Sequence, residues 1–190
     1  MSQRIDVYTA NFGSYDVPVD PIVYNDCVDY LYFTDTAFQS DNTAFQSDKW
    51  NIICVDPPCD TYQRSSRYYF TQSCVVAQNY DITIMHGANA QLLRDPVSLV
   101  DEYLTDNDMA LFKHPYRKTV AGEFDAVVSM GKDTAGNVSA QRQRYWDSGF
   151  PDNIGLSACI LIIRRNTRVV AGFERLWWNE VRNGSHKWFS

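Results

Sequence analysis

Short apolar runs recur along the chain: RIDVYTA (4–10), DYLYF (29–33), WNIICV (50–55), DITIM (81–85), MALFKH (109–114) and SACILIIR (157–164). Each has the length of a strand and is rich in β-branched or aromatic residues, which fit a pleated, buried surface. Between them lie longer amphipathic stretches, near 64–79, 97–104, 120–130, 139–147 and 168–182, whose apolar positions recur at helical spacing. The alternation predicts an α/β fold, a mostly parallel sheet sandwiched by helices. Asp95-Pro96 and Thr167 stand where a helix cap and first turn belong.

One boundary is abrupt. In YDITIMHGANAQLLRDP (80–96) the apolar run breaks into His86-Gly87-Ala88-Asn89. A buried strand thus delivers a polar loop at its C-terminal end, where open α/β sheets place ligands. His86 is therefore a site candidate.

At 190 residues the chain reads as one domain, 1–190, large enough to bury about 70% of its unfolded surface without staples. The net charge of -6 excludes a general nucleic-acid or anionic-membrane surface, since those partners select basic faces. A phosphate would need a local basic cluster. No leader-like N-terminal stretch stands out, and no run approaches the ~20 apolar residues of a membrane span. These features suggest a cytoplasmic protein, of bacterial or phage origin. Five scattered cysteines, an odd number, exclude a complete disulfide framework. Cys54 and Cys59 flank Val-Asp-Pro-Pro with no second pair nearby, so they read as structural rather than as a zinc site. The tandem TAFQSDN (36–42) and TAFQSDK (43–49) is too short for a solenoid unit and reads as a loop duplication. GKDTAGN (131–137) reads as an exposed loop.

Taken in order, VYTANFGSYD (7–16), YLYFTD (30–35), Trp50, RSSR (64–67), YDITIMHG (80–87), RDP (94–96), HPYR (114–117), Glu123, GFP (149–151), GL (155–156), IIRR (162–165) and WWNE (177–180) resemble a glycosyltransferase-like family once catalogued as a domain of unknown function. Its plant members are named for mucilage-related and turgor-regulation-defect phenotypes, and it has bacterial and phage relatives. The resemblance covers nearly the whole chain. It implies a GT-A-like, Rossmann-like fold that transfers a sugar from a nucleotide-diphosphate donor to a glycan or other hydroxyl acceptor.

The resemblance also implies where the site residues fall. The stretch from Tyr8 to Asp16 forms the base loop, and Asp35 accepts hydrogen bonds from base or ribose. Arg64 and Arg67, three apart on one helical face, contact phosphate through charge-assisted bonds. His114 and Arg117 line the donor site, and Glu123 is the candidate general base toward the acceptor hydroxyl. Asp152 and Asn153 face the acceptor. Each has a plainer reading beside it. Arginines on a helix are commonly just solvated, Arg117 and Glu123 can form an ion pair that braces their loop, and Gly149, Pro151 and Gly155 can simply build a connecting turn. Trp177 and Trp178, adjacent on a helix, cannot face the same way, so one is core and the other a lid or interface residue.

The chain departs from the family pattern at three places. Where the pattern has Asp-Gly, this sequence has His86-Gly87. Asp suits Mg²⁺ or Mn²⁺, whereas imidazole suits Mn²⁺, Zn²⁺ or Fe²⁺ better than Mg²⁺, which weakens the expectation of a divalent cation and favours Mn²⁺ over Mg²⁺. Three roles stay open for His86: a metal ligand with Asn89 and a distant carboxylate, a donor replacing the metal at the diphosphate, or a structural residue. Phe70 stands where the pattern has Lys, and the tail NGSHKWFS (183–190) lacks the pattern's Arg-Asp-Gln. The tail is either diverged or truncated, and His186 could stand in as a ligand. These changes support an alternative, a catalytically impaired nucleotide- or glycan-binding module of the same fold. A third reading, hydrolysis, follows from a plant relative described as a ceramidase. It finds no nucleophile elbow, helical His pair or lipid-binding helix in this sequence.

Overall fold

A computed structural model describes residues 3–17, 19–35 and 47–185. Strands β1 (Ile5–Asn11), β2 (Asp29–Thr34), β3 (Asn51–Cys54), β4 (Ile82–His86), β5 (Met109–Lys113) and β6 (Ser157–Arg165) form one sheet in the order β3-β2-β1-β4-β6-β5. The β3-β2-β1-β4 block is parallel, whereas β6 runs antiparallel to both β4 and β5. The sheet is therefore mostly parallel, as the alternation of runs predicts. Its inner parallel strands β1, β2 and β4 are buried on both faces, which is why they read as nearly continuous apolar runs.

The helices are α1 (Tyr62–Thr71), α2 (Ser73–Val76), α3 (Pro96–Tyr103), α4 (Val120–Ser129), α5 (Ala135–Asp147) and α6 (Arg168–Asn183). Asp95 caps α3 by accepting from Ser98 N–H, ahead of Pro96 in the first turn, and Thr167 caps α6 by accepting from Val170 N–H. The stretch 64–79 is two helices rather than one. Gln72 leaves helical geometry, and the Glu174 carboxylate then accepts from the backbone N–H groups of Ser73 and Cys74, supplying the partners that a new helix start lacks. The loop expected over 131–137 is partly helical. Thr134 accepts from Asn137 N–H and starts α5 at Ala135. The tandem repeat falls largely outside the described residues.

Alternation along the strands sorts the core into two layers. Val7, Tyr30, Tyr32, Trp50, Ile82 and Ile84 pack with Leu99 and Val100 of α3 on one face. Tyr8, Phe12, Phe33, Met85 and Ile162 pack with Tyr69 of α1 and Trp177 and Val181 of α6 on the other. This second layer is pinned by fully buried Arg164. Its guanidinium donates to Glu174 Oε1 (2.9 Å), to the Tyr8 hydroxyl (3.0 Å) and to the Phe70 carbonyl (2.8 Å). One cation thereby ties β6, β1, α1 and α6 together. Among the described residues no helix is long and apolar enough to cross a membrane.

Candidate functional site

The loop after β1 is built before any ligand arrives. Asn11 donates through Nδ2 to the Asp16 carbonyl (2.8 Å) and accepts at Oδ1 from Asp16 N–H (3.2 Å). Buried Asp35, at the end of β2, accepts from Gly13 N–H (3.3 Å). Gly13 has φ +65°, and a Cβ there would lie 2.3 Å from the Tyr62 ring. Only glycine lets the loop reach α1 so closely. Between loop and helix lies a small cleft of about 130 Å³, bordered by Asn11, Tyr15, Asp16, Tyr62, Ser66 and Arg67. Asp16 thus borders the cleft, while Asp35 holds its loop from behind. Tyr8 is elsewhere. It is fully buried, its hydroxyl donates to the Tyr69 carbonyl (2.7 Å) and accepts from Arg164, and burial raises its pKa. The nucleotide contact expected of Tyr8 is replaced by a structural one.

The two arginines separate. Arg64 turns to Asp60, an ion pair at 3.7 Å, and does not border the cleft. Arg67 does border it, partly buried, with its guanidinium 5.4 Å from the Phe70 ring. No carboxylate among the described residues pairs with it. Burial lowers its pKa, an effect opposed by the fields of Cys159, Tyr15 and Asp16. The Cys159 thiol, pushed up to about 12 by burial, is in turn held down by the charge of Arg67. Phe70 borders the same cleft, so the missing Lys is missing at the site itself.

Cys159 also lines a large cavity, about 740 Å³, formed by the loop 149–156 with β5, β6, α4 and α6. Asn153, Ser157, Lys113 and Lys118 supply its polar groups, and Phe150, Phe173 and Trp177 its aromatic wall. Arg67 thus borders the small cleft and lies within electrostatic range of Cys159, a residue of the large cavity. Asn153 is where an acceptor-side residue is expected. Asp152 instead accepts from Ala121 N–H (2.7 Å) at the first turn of α4, a stabilising partner for an exposed helix start. Trp177 is buried and Trp178 packs edge-on against Tyr68, ring centroids 5.2 Å apart.

His114, Arg117 and Glu123 come together beside this cavity without lining it. Thr119 caps α4 and places Glu123 in its first turn. Arg117 Nε donates to Glu123 Oε2, and Arg117 Nη2 lies 3.1 Å from His114 Nε2. His114 Nδ1 accepts from the N–H groups of Tyr116 (3.2 Å) and Arg117 (2.9 Å), and its Nε2 lies 3.7 Å from Glu123 Oε2. The bracing arrangement is thus the one formed. Glu123 is 5% exposed and already holds a cation.

His86 points the other way. It follows Ile82 and Ile84 in the strand's alternation, and its ring lies 5.6 Å from Trp50, on the face opposite Arg67 and Met85. Its Nδ1 is 2.8 Å from the Gly87 carbonyl, and burial lowers its pKa. Gly87 is buried and Asn89 exposed. No group of three or more His, Cys, Asp or Glu side chains is placed to hold a metal among the described residues, and His86 brings a single imidazole with no carboxylate beside it. This donor set does not fit a divalent cation at the diphosphate. His186 lies outside the described residues.

Lys113, Lys118 and Phe173 line the large cavity without having been marked by the sequence, and the Arg164–Glu174 pair was equally silent. Lys118 directly follows HPYR, so a reading extended by one residue would have included it. Nothing in the order of residues announces the pair.

The mostly parallel sheet, the ordered loop after its first strand and the cavities at the parallel strands' C-terminal ends define an α/β protein whose architecture is consistent with a GT-A-like domain. The chain belongs to the TOD1/MUCI70 glycosyltransferase-like domain family, whose model matches residues 2–186. No curated protein and no solved structure matches it.

Proposed function

We propose that the protein binds a nucleotide-diphospho-sugar and transfers its sugar to a hydroxyl acceptor. One observation carries this reading: Arg67, a partly buried cation without a carboxylate partner among the described residues, borders a cleft with aromatic rings and lies within electrostatic range of Cys159 in a large cavity with polar and aromatic walls. The base enters the cleft against Tyr15 and Tyr62, leaving the ribose at its mouth with Asp16 beside its hydroxyls. The diphosphate lies on Arg67, whose fixed charge also stabilises it as it departs. The sugar extends toward Asn153 and Ser157, where an aromatic wall orients it and an acceptor. The His114–Arg117–Glu123 cluster holds the loop that carries Lys118 to the cavity.

Calorimetric titration with a panel of nucleotide sugars tests this. Arg67→Gln is expected to weaken binding about 10- to 100-fold, the range for losing a hydrogen bond to a charged group. Arg64→Gln, already paired outside the cleft, is expected to change it less than threefold. Equal effects of the two variants, or no binding of any nucleotide sugar, would sink the proposal. An arm with added Mn²⁺ tests the cation expectation directly.

A second reading, a binding module without transfer, is favoured by Glu123, which faces Arg117 rather than the cavity. Binding without transfer or hydrolysis would select it.

A further inference from the structure

The loop that follows β4 has a second face. The His86 ring is only 2% exposed, and its Nδ1 meets the Gly87 carbonyl oxygen at 2.8 Å. A carbonyl can only accept, so Nδ1 carries the proton and Nε2 is a bare acceptor. That Nε2 is buried and has no hydrogen-bond partner, an arrangement that costs free energy unless something completes it. His86 lines a cavity of about 270 Å³ whose walls are Leu92, Leu99, Phe112, Ile160 and Leu161. The polar side chains at its rim are already engaged. Gln91 donates to the Asp20 carbonyl (2.8 Å), and Arg94 is paired with Glu102. Phe112, Ile160 and Leu93 at the mouth are about half exposed or more.

We propose that this cavity binds a neutral, largely apolar small molecule that carries one hydroxyl, whose O–H donates to His86 Nε2. The walls exclude a charged ligand, since an ion would lose its hydration against aliphatic side chains. A single imidazole does not make a metal site. The volume is close to the lower end for ligand pockets, which fits one ring or a short chain. The site opens on the face of the sheet opposite Arg67, so it stands or falls independently of the nucleotide reading.

Phenol and toluene are the probes, because they share a ring and differ in the hydroxyl. In wild-type protein labelled with ¹⁵N-histidine, phenol is expected to bind saturably and to move the His86 Nε2 resonance, while toluene leaves that resonance in place. In His86→Phe the ratio of phenol to toluene affinity is expected to fall about tenfold, the loss of one hydrogen bond. Leu93→Trp, at the exposed mouth, is expected to weaken both ligands. If His86→Phe fails to fold, the resonance experiment on the wild type decides alone. Phenol binding that leaves Nε2 unmoved, an unchanged affinity ratio, or no binding up to the solubility limit overturns the proposal.

Discussion

Among single residues, Asp6 is a costly one to bury. Both carboxylate oxygens are enclosed without a hydrogen-bond partner, and burial raises its pKa well above 3.8, a shift only partly opposed by the charge of Arg164. In the folded state the carboxyl keeps its proton to higher pH than in the unfolded chain. Stability is therefore lost as pH rises from the ordinary Asp range toward the folded value. Asp6→Asn removes that titration. Its melting temperature is expected to exceed the wild type's at pH 7.5, with the gap closing as pH approaches 4, and a gap that ignores pH would contradict this account. The sequence hides such a residue. In RIDVYTA an Asp reads as the solvent-facing member of an alternating strand, whereas a parallel strand at the centre of a sheet has no solvent-facing side. The same blindness affected Tyr8 and His86, whose strand positions were legible but whose facing was settled only by the partners across the sheet.

Elements were far easier to read than their contents. The apolar runs and the Asp95-Pro96 and Thr167 caps marked strands and helices because each signal is local, written within a few residues of the feature it sets. The break at Gln72 was illegible because its cause, the Glu174 carboxylate at the start of α2, lies 101 residues away from Ser73. Glu174 answers both those backbone N–H groups and Arg164. Glu174→Gln leaves a fully buried guanidinium without its counter-charge, and breaking one side of such a pair costs roughly 3–5 kcal/mol. Urea denaturation measures this, and a loss below about 1 kcal/mol, the level of an exposed ion pair, would show that the network relaxes without it. Likewise, Asp152 was placed on the acceptor side by the resemblance, and only the packing of its loop against α4 gave it a helix start to stabilise.

At the scale of the molecule, the central sheet joins the cleft, Arg67 and the large cavity, so ligand binding should be felt by the whole fold. A donor sugar-nucleotide at 100 times its dissociation constant adds about 2.7 kcal/mol. For a chain of this size that corresponds to a rise of roughly 5–11 °C in one unfolding transition. Two separate transitions, with only one displaced by the ligand, would instead divide the chain into independent units. The architecture was legible in the alternation of runs, while the joining of cleft and cavity was not, since it depends on Arg67 and Cys159 meeting from different halves of the chain. The Arg164 knot has a consequence for how the protein is made. Its guanidinium reaches the Tyr8 hydroxyl across 156 residues, an interval that a ribosome working at ~5–20 residues per second takes roughly eight to thirty seconds to cover. Until then the Tyr8 hydroxyl and the Phe70 carbonyl lack the cation that joins them, and β4 has no antiparallel neighbour. The nascent chain must therefore shelter an unfinished parallel block, and the cleft can take its final shape only after the strand carrying Arg164 has left the exit tunnel.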